Sequence, residues 1–131
     1  MKTKNHFPEE ILTRIHADKI VGIRAGSDGT HRVIGIWMVV VDGRVFARSW
    51  SMKPRSWWRT FLEDPNGEIF VARRKRGIKV RAKLVKGEKL KEAVTAAYRE
   101  KYNTRGSVGY VEDMARSPAR ETTTELIPIQ E

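Results

Sequence analysis

The 131-residue chain contains no cysteine, which excludes disulfide bonds, zinc sites with thiolate ligands and a cysteine nucleophile. Its three histidines, His6, His16 and His31, lack a metal-ligand spacing such as His-x-x-x-His, so we expect no metal site. Residues 1–8 lack the apolar run of a signal peptide, and no later segment approaches the roughly 18 apolar residues of a membrane span. No serine–histidine–aspartate or paired-carboxylate arrangement stands out, so nothing favours a hydrolase. We expect a soluble, cytoplasmic protein.

Positive charge is abundant instead. The chain has 26 lysine and arginine residues against 16 acidic ones, a net charge of +10. Such a balance favours an anionic partner, which could be nucleic acid, a membrane surface or a phosphorylated small molecule, without choosing among them. With 40% hydrophobic residues, the length fits one domain over residues 1–131 that buries roughly two-thirds of its unfolded surface.

The first half of the chain predicts one helix and three strands. Residues 7–15 have the apolar spacing of a short amphipathic helix, and residues 19–25 read as a strand. Residues 33–41 are β-branched and almost wholly apolar, which suits a central strand covered on both faces. Asp42-Gly43 is a preferred hairpin dipeptide, and residues 44–50 form the returning strand.

The second half adds helices at both ends of a strand pair. Ser56 is placed to cap a short helix in which Trp57, Trp58, Phe61 and Leu62 share a face. Two strands follow around Arg76-Gly77, and the second alternates apolar residues with lysine and arginine over residues 78–84. A helix over residues 88–102, a helical segment over 107–116 and a strand over 122–129 complete the chain. Mostly antiparallel strands with few helices predict a small α+β barrel.

Several short motifs carry a family resemblance: Gly29-Thr-His-Arg32, Gly35-Ile-Trp37, Arg48-Ser49, Pro54, Trp57-Trp58 and Asp64-Pro65. In this order they resemble the flavin-binding split-barrel superfamily, which is pyridoxamine-phosphate-oxidase-like. They are most similar to its deazaflavin-dependent nitroreductase group and, more specifically, to the uncharacterised family called domain of unknown function 2255. The resemblance spans residues 19–129 and implies a mostly antiparallel, six-stranded split β-barrel with peripheral helices.

The resemblance also implies a homodimer that binds FMN or deazaflavin at the subunit interface, with oxidoreductase activity carried by the cofactor. Positions that match the family's pattern place Arg32 and Trp37 beside the ring system. The same matching places near the phosphate Arg48, Ser49, Lys53 and Arg55. The aromatic pair with which the family's short helix begins corresponds to Trp57 and Trp58. The chain departs from the nitroreductase pattern at Gly35, where proline is usual, and in lacking a glycine between Ser49 and Pro54.

The residues support an anion site by their own chemistry. A phosphate site needs full positive charges, hydroxyl or amide donors and preferably a helix start. Within eight residues, just before the helix that Ser56 begins, the chain provides Arg48, Ser49, Ser51, Lys53 and Arg55. Trp50 ends a strand and is the tryptophan most available to stack on a flat ligand, whereas at least two of the four tryptophans are expected to pack in the core. The alternative is an exposed basic loop with ordinary helix capping.

Two other functions remain open. The basic stripe over residues 73–91 suggests a barrel that binds nucleic acid, but no aromatic residues interleave it, so a solvated strand face is favoured. A fold that persists without cofactor as an interaction protein is the other alternative.

Overall fold

A computed structural model describes residues 6–27, 31–53, 56–71 and 76–129. Within these residues there are seven strands, four α-helices and one 3₁₀ helix. The strands are β1 Val21–Ala25, β2 Ile34–Ile36, β3 Met38–Val41, β4 Arg44–Ala47, β5 Asn66–Phe70, β6 Ile78–Leu84 and β7 Thr124–Pro128. The helices are α1 Glu9–Ala17, α2 Trp57–Glu63, α3 Glu88–Lys101, α4 Arg105–Met114 and the 3₁₀ helix Ala119–Thr122.

All seven strands belong to one antiparallel sheet in the order β2-β1-β5-β6-β7-β4-β3. The two edge strands, β2 and β3, are separated along the chain by Trp37 alone. Because so short a connection spans at most roughly 7 Å, the end of β2 and the start of β3 must lie close together. The sheet therefore curls into a nearly closed barrel, and the predicted α+β split-barrel class is confirmed with seven strands instead of six.

The additional strand comes from the apolar run at residues 33–41, and the prediction of one central strand there is wrong. Ile34 pairs with Ile23 of β1, whereas Met38 pairs with Ala47 of β4 on the other side of the opening. The chain thus passes at Trp37 from one edge of the curled sheet to the other. As a consequence, Ile34 is exposed instead of covered on both faces.

The hairpin between β3 and β4 is confirmed. Asp42 has φ 51° and Gly43 has φ 75°, the left-handed pair that a two-residue turn with matching twist requires. β4 ends at Ala47, three residues earlier than predicted. The next two backbone N–H groups bond to side chains instead of a strand: Arg48 N donates to Tyr98 Oη (2.9 Å) and Ser49 N donates to Thr122 Oγ1 (2.8 Å).

Two apolar clusters hold the fold together. Inside the barrel, strand residues such as Ile23, Ile69 and Leu126 pack with Ile15 of α1 and Phe61 of α2. Outside it, α3 and α4 cover the opposite face of the sheet, with a cluster built from Val39, Phe46, Val94, Tyr98, Val111 and Met114. The first cluster seats α2 at the barrel end, and the second seats α3 and α4 against β3 and β4.

The predicted alternation on β6 is confirmed. Val80 is buried, whereas Lys79, Arg81 and Lys83 are exposed. Acidic residues stand opposite two of these cations, because Glu68 pairs in register with Lys79 and Glu125 with Lys83. This charge balance fits a solvated outer face. Residues 72–75 of the predicted basic stripe lie outside the described residues.

α2 differs from its prediction in two respects. Trp57 and Phe61 are buried as expected, but Leu62 is exposed and does not share their face. Ser56 occupies the N-cap position, yet its side chain makes no capping hydrogen bond. Across the described ranges, no helix combines the length and apolar character needed to cross a membrane.

Candidate functional site

The principal cleft lies where the edges of the barrel meet. It has a volume of about 530 Å³, within the size range of sites for small molecules and cofactors. Its walls come from the β2–β3 crossing, the segment after β4, the start of α2 and two residues of α4. The lining residues are 34–37, 48–51, 53, 56–57, 110 and 114. We call this space the barrel-edge cleft.

Aromatic rings form one wall of the barrel-edge cleft. The indole of Trp37 stacks on Tyr102, with ring centroids 4.2 Å apart and an interplanar angle of 5°. Tyr110 meets Trp37 edge-on at 6.1 Å and Trp50 edge-on at 5.7 Å. Trp50 is 60% exposed and Tyr110 is 50% exposed, so these rings present apolar surface to solvent at the cleft mouth.

One face of α3 fixes the chain at Trp37. Tyr98 Oη donates to the Trp37 carbonyl (2.8 Å), while Lys101 Nζ donates to the Met38 carbonyl (2.6 Å). Tyr102 Oη also reaches the Met38 carbonyl, at 3.3 Å, beneath the ring stack. Because these three residues are spaced i, i+3 and i+4, they share one side of the helix. The chain at the β2–β3 crossing is therefore anchored to α3 where Trp37 lines the cleft.

Arg48 borders the barrel-edge cleft, but its guanidinium is bonded within the protein. The residue is 3% exposed, and it donates to Thr123 Oγ1 and Thr95 Oγ1, both at 2.8 Å. It also donates to the carbonyls of Met114 (2.9 Å) and Lys91 (2.7 Å). Burial lowers the pKa of the Arg48 guanidinium to about 10. The charge that was expected beside a phosphate thus ties β4 to α3, α4 and the segment before β7.

The polar end of the barrel-edge cleft is built from serines and one lysine. Ser49 Oγ donates to the Ser51 carbonyl (2.6 Å), and Ser51 Oγ accepts from the Lys53 backbone N–H (3.3 Å). The Lys53 side chain is exposed and lines the cleft. Ser56 Oγ is buried and has no hydrogen-bond partner among the described residues. A buried hydroxyl without a partner is costly, so a rotation of the Ser56 side chain toward the cleft would let it pair with a bound polar group.

The structure brings together most of the nine predicted site residues. Six line the barrel-edge cleft: Trp37, Arg48, Ser49, Trp50, Lys53 and Trp57. Arg32 is exposed and does not line it, and Trp58 packs beside the barrel core. Arg55 lies outside the described residues.

Sequence reasoning missed Tyr110 and Met114, which contribute the α4 side of the cleft. The segment had been predicted to be helical, and its helical spacing buries Val111 and Met114. That periodicity could have assigned Met114 to a buried face. No pattern in the sequence pointed to Tyr110, because its position at the cleft depends on how α4 packs against the rest of the fold.

No group of three or more histidine, aspartate or glutamate side chains capable of holding a metal ion occurs within residues 6–27, 31–53, 56–71 and 76–129. The lining of the barrel-edge cleft offers apolar and aromatic surface, serine hydroxyls and the Lys53 ammonium.

Solved structures with the same architecture include proteins of three bacteria. A putative pyridoxamine 5'-phosphate oxidase from Listeria innocua is 14% identical with a TM-score of 0.62, and 93% of each chain is covered. The heme storage protein HutZ from Vibrio cholerae is 15% identical with a TM-score of 0.66, covering 96% of this chain and 92% of that one. A FAD-binding protein from Mesorhizobium loti is 14% identical with a TM-score of 0.58, covering 93% and 87%. At these identities the likeness shows the split-barrel fold.

No curated protein matches the sequence significantly. A family model described as "Uncharacterized protein conserved in bacteria (DUF2255)" matches residues 11–126. The chain belongs to this family, as its motifs predicted.

Proposed function

We propose that the barrel-edge cleft binds a phosphorylated flavin-type cofactor, FMN or deazaflavin. The observation that carries this proposal is an aromatic-walled cleft of about 530 Å³ whose lining includes Ser56, a residue with a buried hydroxyl that has no hydrogen-bond partner among the described residues. Flat aromatic walls suit a flat ring system, and the free hydroxyl suits a polar atom on that ring or on its side chain. Relatives of the same fold that are described as FAD-binding and as a pyridoxamine 5'-phosphate oxidase support the choice.

The ring system would contact Trp37, Trp50 and Tyr110. Trp37 is held by its stack on Tyr102 and by the hydrogen bond from Tyr98 to its carbonyl. A rigid wall lowers the entropy lost on binding, because fewer side chains must be ordered. Trp50 is freer to adjust, since it is largely exposed.

The phosphate would be held by Lys53, because Arg48 is committed to partners inside the protein. A lysine provides a compact point charge instead of the two-pronged contact of arginine. Ser56 Oγ adds a hydroxyl donor at the same end of the cleft. The site thus fits one phosphate group better than the paired phosphates of a dinucleotide.

A flavin, when bound, supplies hydride and electron transfer, and the protein supplies binding and orientation. The apolar walls would exclude water from one side of the ring, whereas Lys53 and Ser56 would fix its direction in the cleft. On this basis we propose that the protein is an oxidoreductase.

The test is a titration of the purified protein with FMN and, separately, with riboflavin, which has the same ring but no phosphate. We expect saturable quenching of tryptophan fluorescence by both, with tighter binding of FMN. Lys53→Gln should weaken FMN binding roughly fivefold and leave riboflavin binding unchanged, because only FMN carries the charge. A colourless protein that binds neither FMN nor deazaflavin would instead support a cofactor-free interaction protein.

Ser56→Ala separates ligand contact from stability. Removing a buried hydroxyl that has no partner among the described residues should leave the free energy of unfolding unchanged or raise it by about 1 kcal/mol. FMN affinity should fall, because the ligand then loses a hydrogen bond. A variant with lower stability and unchanged affinity would show that Ser56 Oγ serves the fold.

We further propose that the protein is a homodimer in which the cleft mouth forms part of the contact. Ile34, Trp50 and Tyr110 are 43%, 60% and 50% exposed, and they lie together around the cleft. Exposed apolar side chains gathered in one place are typical of an interaction surface. A second subunit would cover them and shield a bound cofactor from solvent.

A further inference from the structure

A second cavity lies at the end of α1, where it meets the C-terminal turn of α3 and the start of α4. Its volume is about 330 Å³. The polar residues that line it are His16, Lys19, Glu100, Lys101, Thr104 and Ser107. None of these residues lines the barrel-edge cleft, and none was singled out by the sequence as a site. We call this space the α1–α4 cavity.

The ammonium group of Lys101 is the central feature of the α1–α4 cavity. It donates to the carbonyls of Ile15 and Met38, both at 2.6 Å. An ammonium has three donors, and the third makes no hydrogen bond among the described residues, although the group also lies 5.1 Å from the centroid of the Tyr102 ring. Burial lowers the pKa of Lys101 to about 8, and the nearby Asp18 only partly opposes this effect. A partly desolvated cation therefore borders the cavity without an acidic group at hydrogen-bonding distance within the described residues.

Other side chains around the cavity complement an anion. Lys19 is exposed and adds a second positive charge. Thr104 Oγ1 and Ser107 Oγ share one hydrogen bond of 2.7 Å, which leaves one hydroxyl hydrogen free to donate. Glu100 is the acidic residue of the lining and opposes an anion.

We propose that the α1–α4 cavity binds a small oxyanion, a phosphate or carboxylate group, between Lys101, Lys19 and the hydroxyls of Thr104 and Ser107. The oxyanion would accept the third hydrogen of the Lys101 ammonium and offset the cost of burying that charge. Tyr102 lines this cavity and stacks on Trp37, which lines the barrel-edge cleft. The two sites therefore share one pair of stacked rings, although the oxyanion site does not depend on a flavin in the cleft.

Sulfate is a suitable probe, because its charge stays constant over the pH range of interest. In a titration followed by backbone amide NMR, sulfate should shift the signals of Lys101, Thr104 and Ser107 saturably. Chloride at the same ionic strength should not. Shifts spread over the basic surface, or equal shifts with chloride, would overturn the proposal.

Three variants on exposed positions sharpen the test without disturbing the core. Lys19→Gln should weaken sulfate binding roughly three- to fivefold, and Glu100→Gln should strengthen it by a similar factor. Lys83→Gln removes an exposed cation on β6 and should leave sulfate affinity unchanged. If Lys19→Gln and Lys83→Gln have equal effects, general charge screening explains the binding and the site is refuted.

The pH dependence provides an independent readout. Titratable or charged groups near Lys101 are His16, Asp18 and Lys19 at the end of α1, and Glu100 and Tyr102 on α3. α4 contributes the hydroxyls of Thr104 and Ser107 to the lining. As pH rises through about 8, Lys101 loses its proton, so sulfate affinity should fall between about pH 7 and pH 9. Lys101→Gln should bind sulfate weakly at both pH values, whereas a persistent pH dependence in that variant would exclude Lys101 as the anion ligand.

Discussion

Arg48 shows how a charged residue beside a cleft can serve the fold. Its guanidinium satisfies two threonine hydroxyls and two backbone carbonyls, and none of these partners is a ligand. Arg48→Lys should lower the free energy of unfolding by about 3 kcal/mol, because a lysine cannot reach all four acceptors and leaves buried groups unpaired. Urea denaturation followed by far-ultraviolet circular dichroism would measure the loss.

The matched control is Lys53→Gln on the same side of the cleft. Lys53 is exposed, so its substitution should change stability by less than about 0.5 kcal/mol. If Arg48→Lys were as stable as the wild type but failed to bind FMN, the guanidinium would have to be reassigned to the ligand.

At the residue scale, the sequence predicted residues of the cleft lining where they lie close together along the chain. Ser49, Trp50 and Lys53 were identified because they lie close together between a strand and a helix, and Trp57 because it matches the family's aromatic pair. The direction of the Arg48 side chain could not be predicted, because its acceptors lie 43 to 75 residues away along the chain. Tyr110 was not predicted either, because it reaches the cleft through the packing of α4 on α3, which joins segments distant from the other lining residues in the sequence.

The position of α2 depends on a glycine in β5. A Cβ at Gly67 would lie 2.6 Å from the Arg24 carbonyl oxygen and 2.7 Å from the Phe61 ring. Gly67→Ala should therefore push Phe61 and α2 outward and cost about 2 kcal/mol or more of unfolding free energy. Because α2 carries Ser56 and Trp57, the variant should also weaken FMN binding. Chemical denaturation and an FMN titration would measure the two effects.

The matched control for Gly67 is Gly106 in α4. A Cβ there would meet no atom within 4 Å, so only helix propensity changes. Gly106→Ala should raise the free energy of unfolding by about 0.5 to 1 kcal/mol. A destabilised Gly106→Ala protein would contradict the open surroundings of this position.

Acidic pH should loosen the attachment of the 3₁₀ helix to α3. Lys91 Nζ donates to Glu121 Oε1 at 2.6 Å, and this bond, with a second from Ser117, lowers the pKa of Glu121 below its ordinary 4.5. The folded carboxyl therefore binds its proton at lower pH than the unfolded one. Its stabilising contribution is present above about pH 4.5 and is lost as pH falls through the folded pKa.

Glu121→Gln tests this linkage through the melting temperature measured between about pH 7 and pH 3. The variant should melt below the wild type at neutral pH, and the difference should close in acid because protonation removes the same ion pair. Glu63→Gln, an exposed position at the end of α2, should follow the wild-type curve. A constant difference between Glu121→Gln and the wild type at every pH would contradict the assigned ion pair.

At the element scale, local patterns predicted α1, the β3–β4 hairpin, β6 and α3 because propensity, turn chemistry and periodicity agreed there. The prediction of one strand over residues 33–41 was wrong because an apolar composition indicates burial but does not indicate which strands will pair with the segment. Barrel closure divides it at Trp37, and closure is a property of the whole sheet.

The whole molecule carries a net charge of +10, yet its charges are mixed on the outer face of β6. Arg44 of β4 bonds to Glu125 at 2.8 and 3.0 Å, and Glu125 also stands opposite Lys83. A nucleic acid would have to displace such pairs to reach the cations. On β6 this pairing fits a solvated strand face better than a dedicated nucleic-acid surface.

The clearest prediction for the whole molecule concerns its oligomeric state. If the cleft mouth is a subunit contact, light scattering coupled to size-exclusion chromatography should give twice the chain mass of 15.1 kDa. Tyr110→Glu should shift the protein toward monomer, because it places a charge in the apolar contact, and it should weaken FMN binding in parallel. Leu62→Glu, an equally exposed apolar position on α2 that does not line the cleft, should leave the dimer intact. A wild-type protein that elutes as a monomer, or a dimer unaffected by Tyr110→Glu, would place the contact elsewhere or remove it.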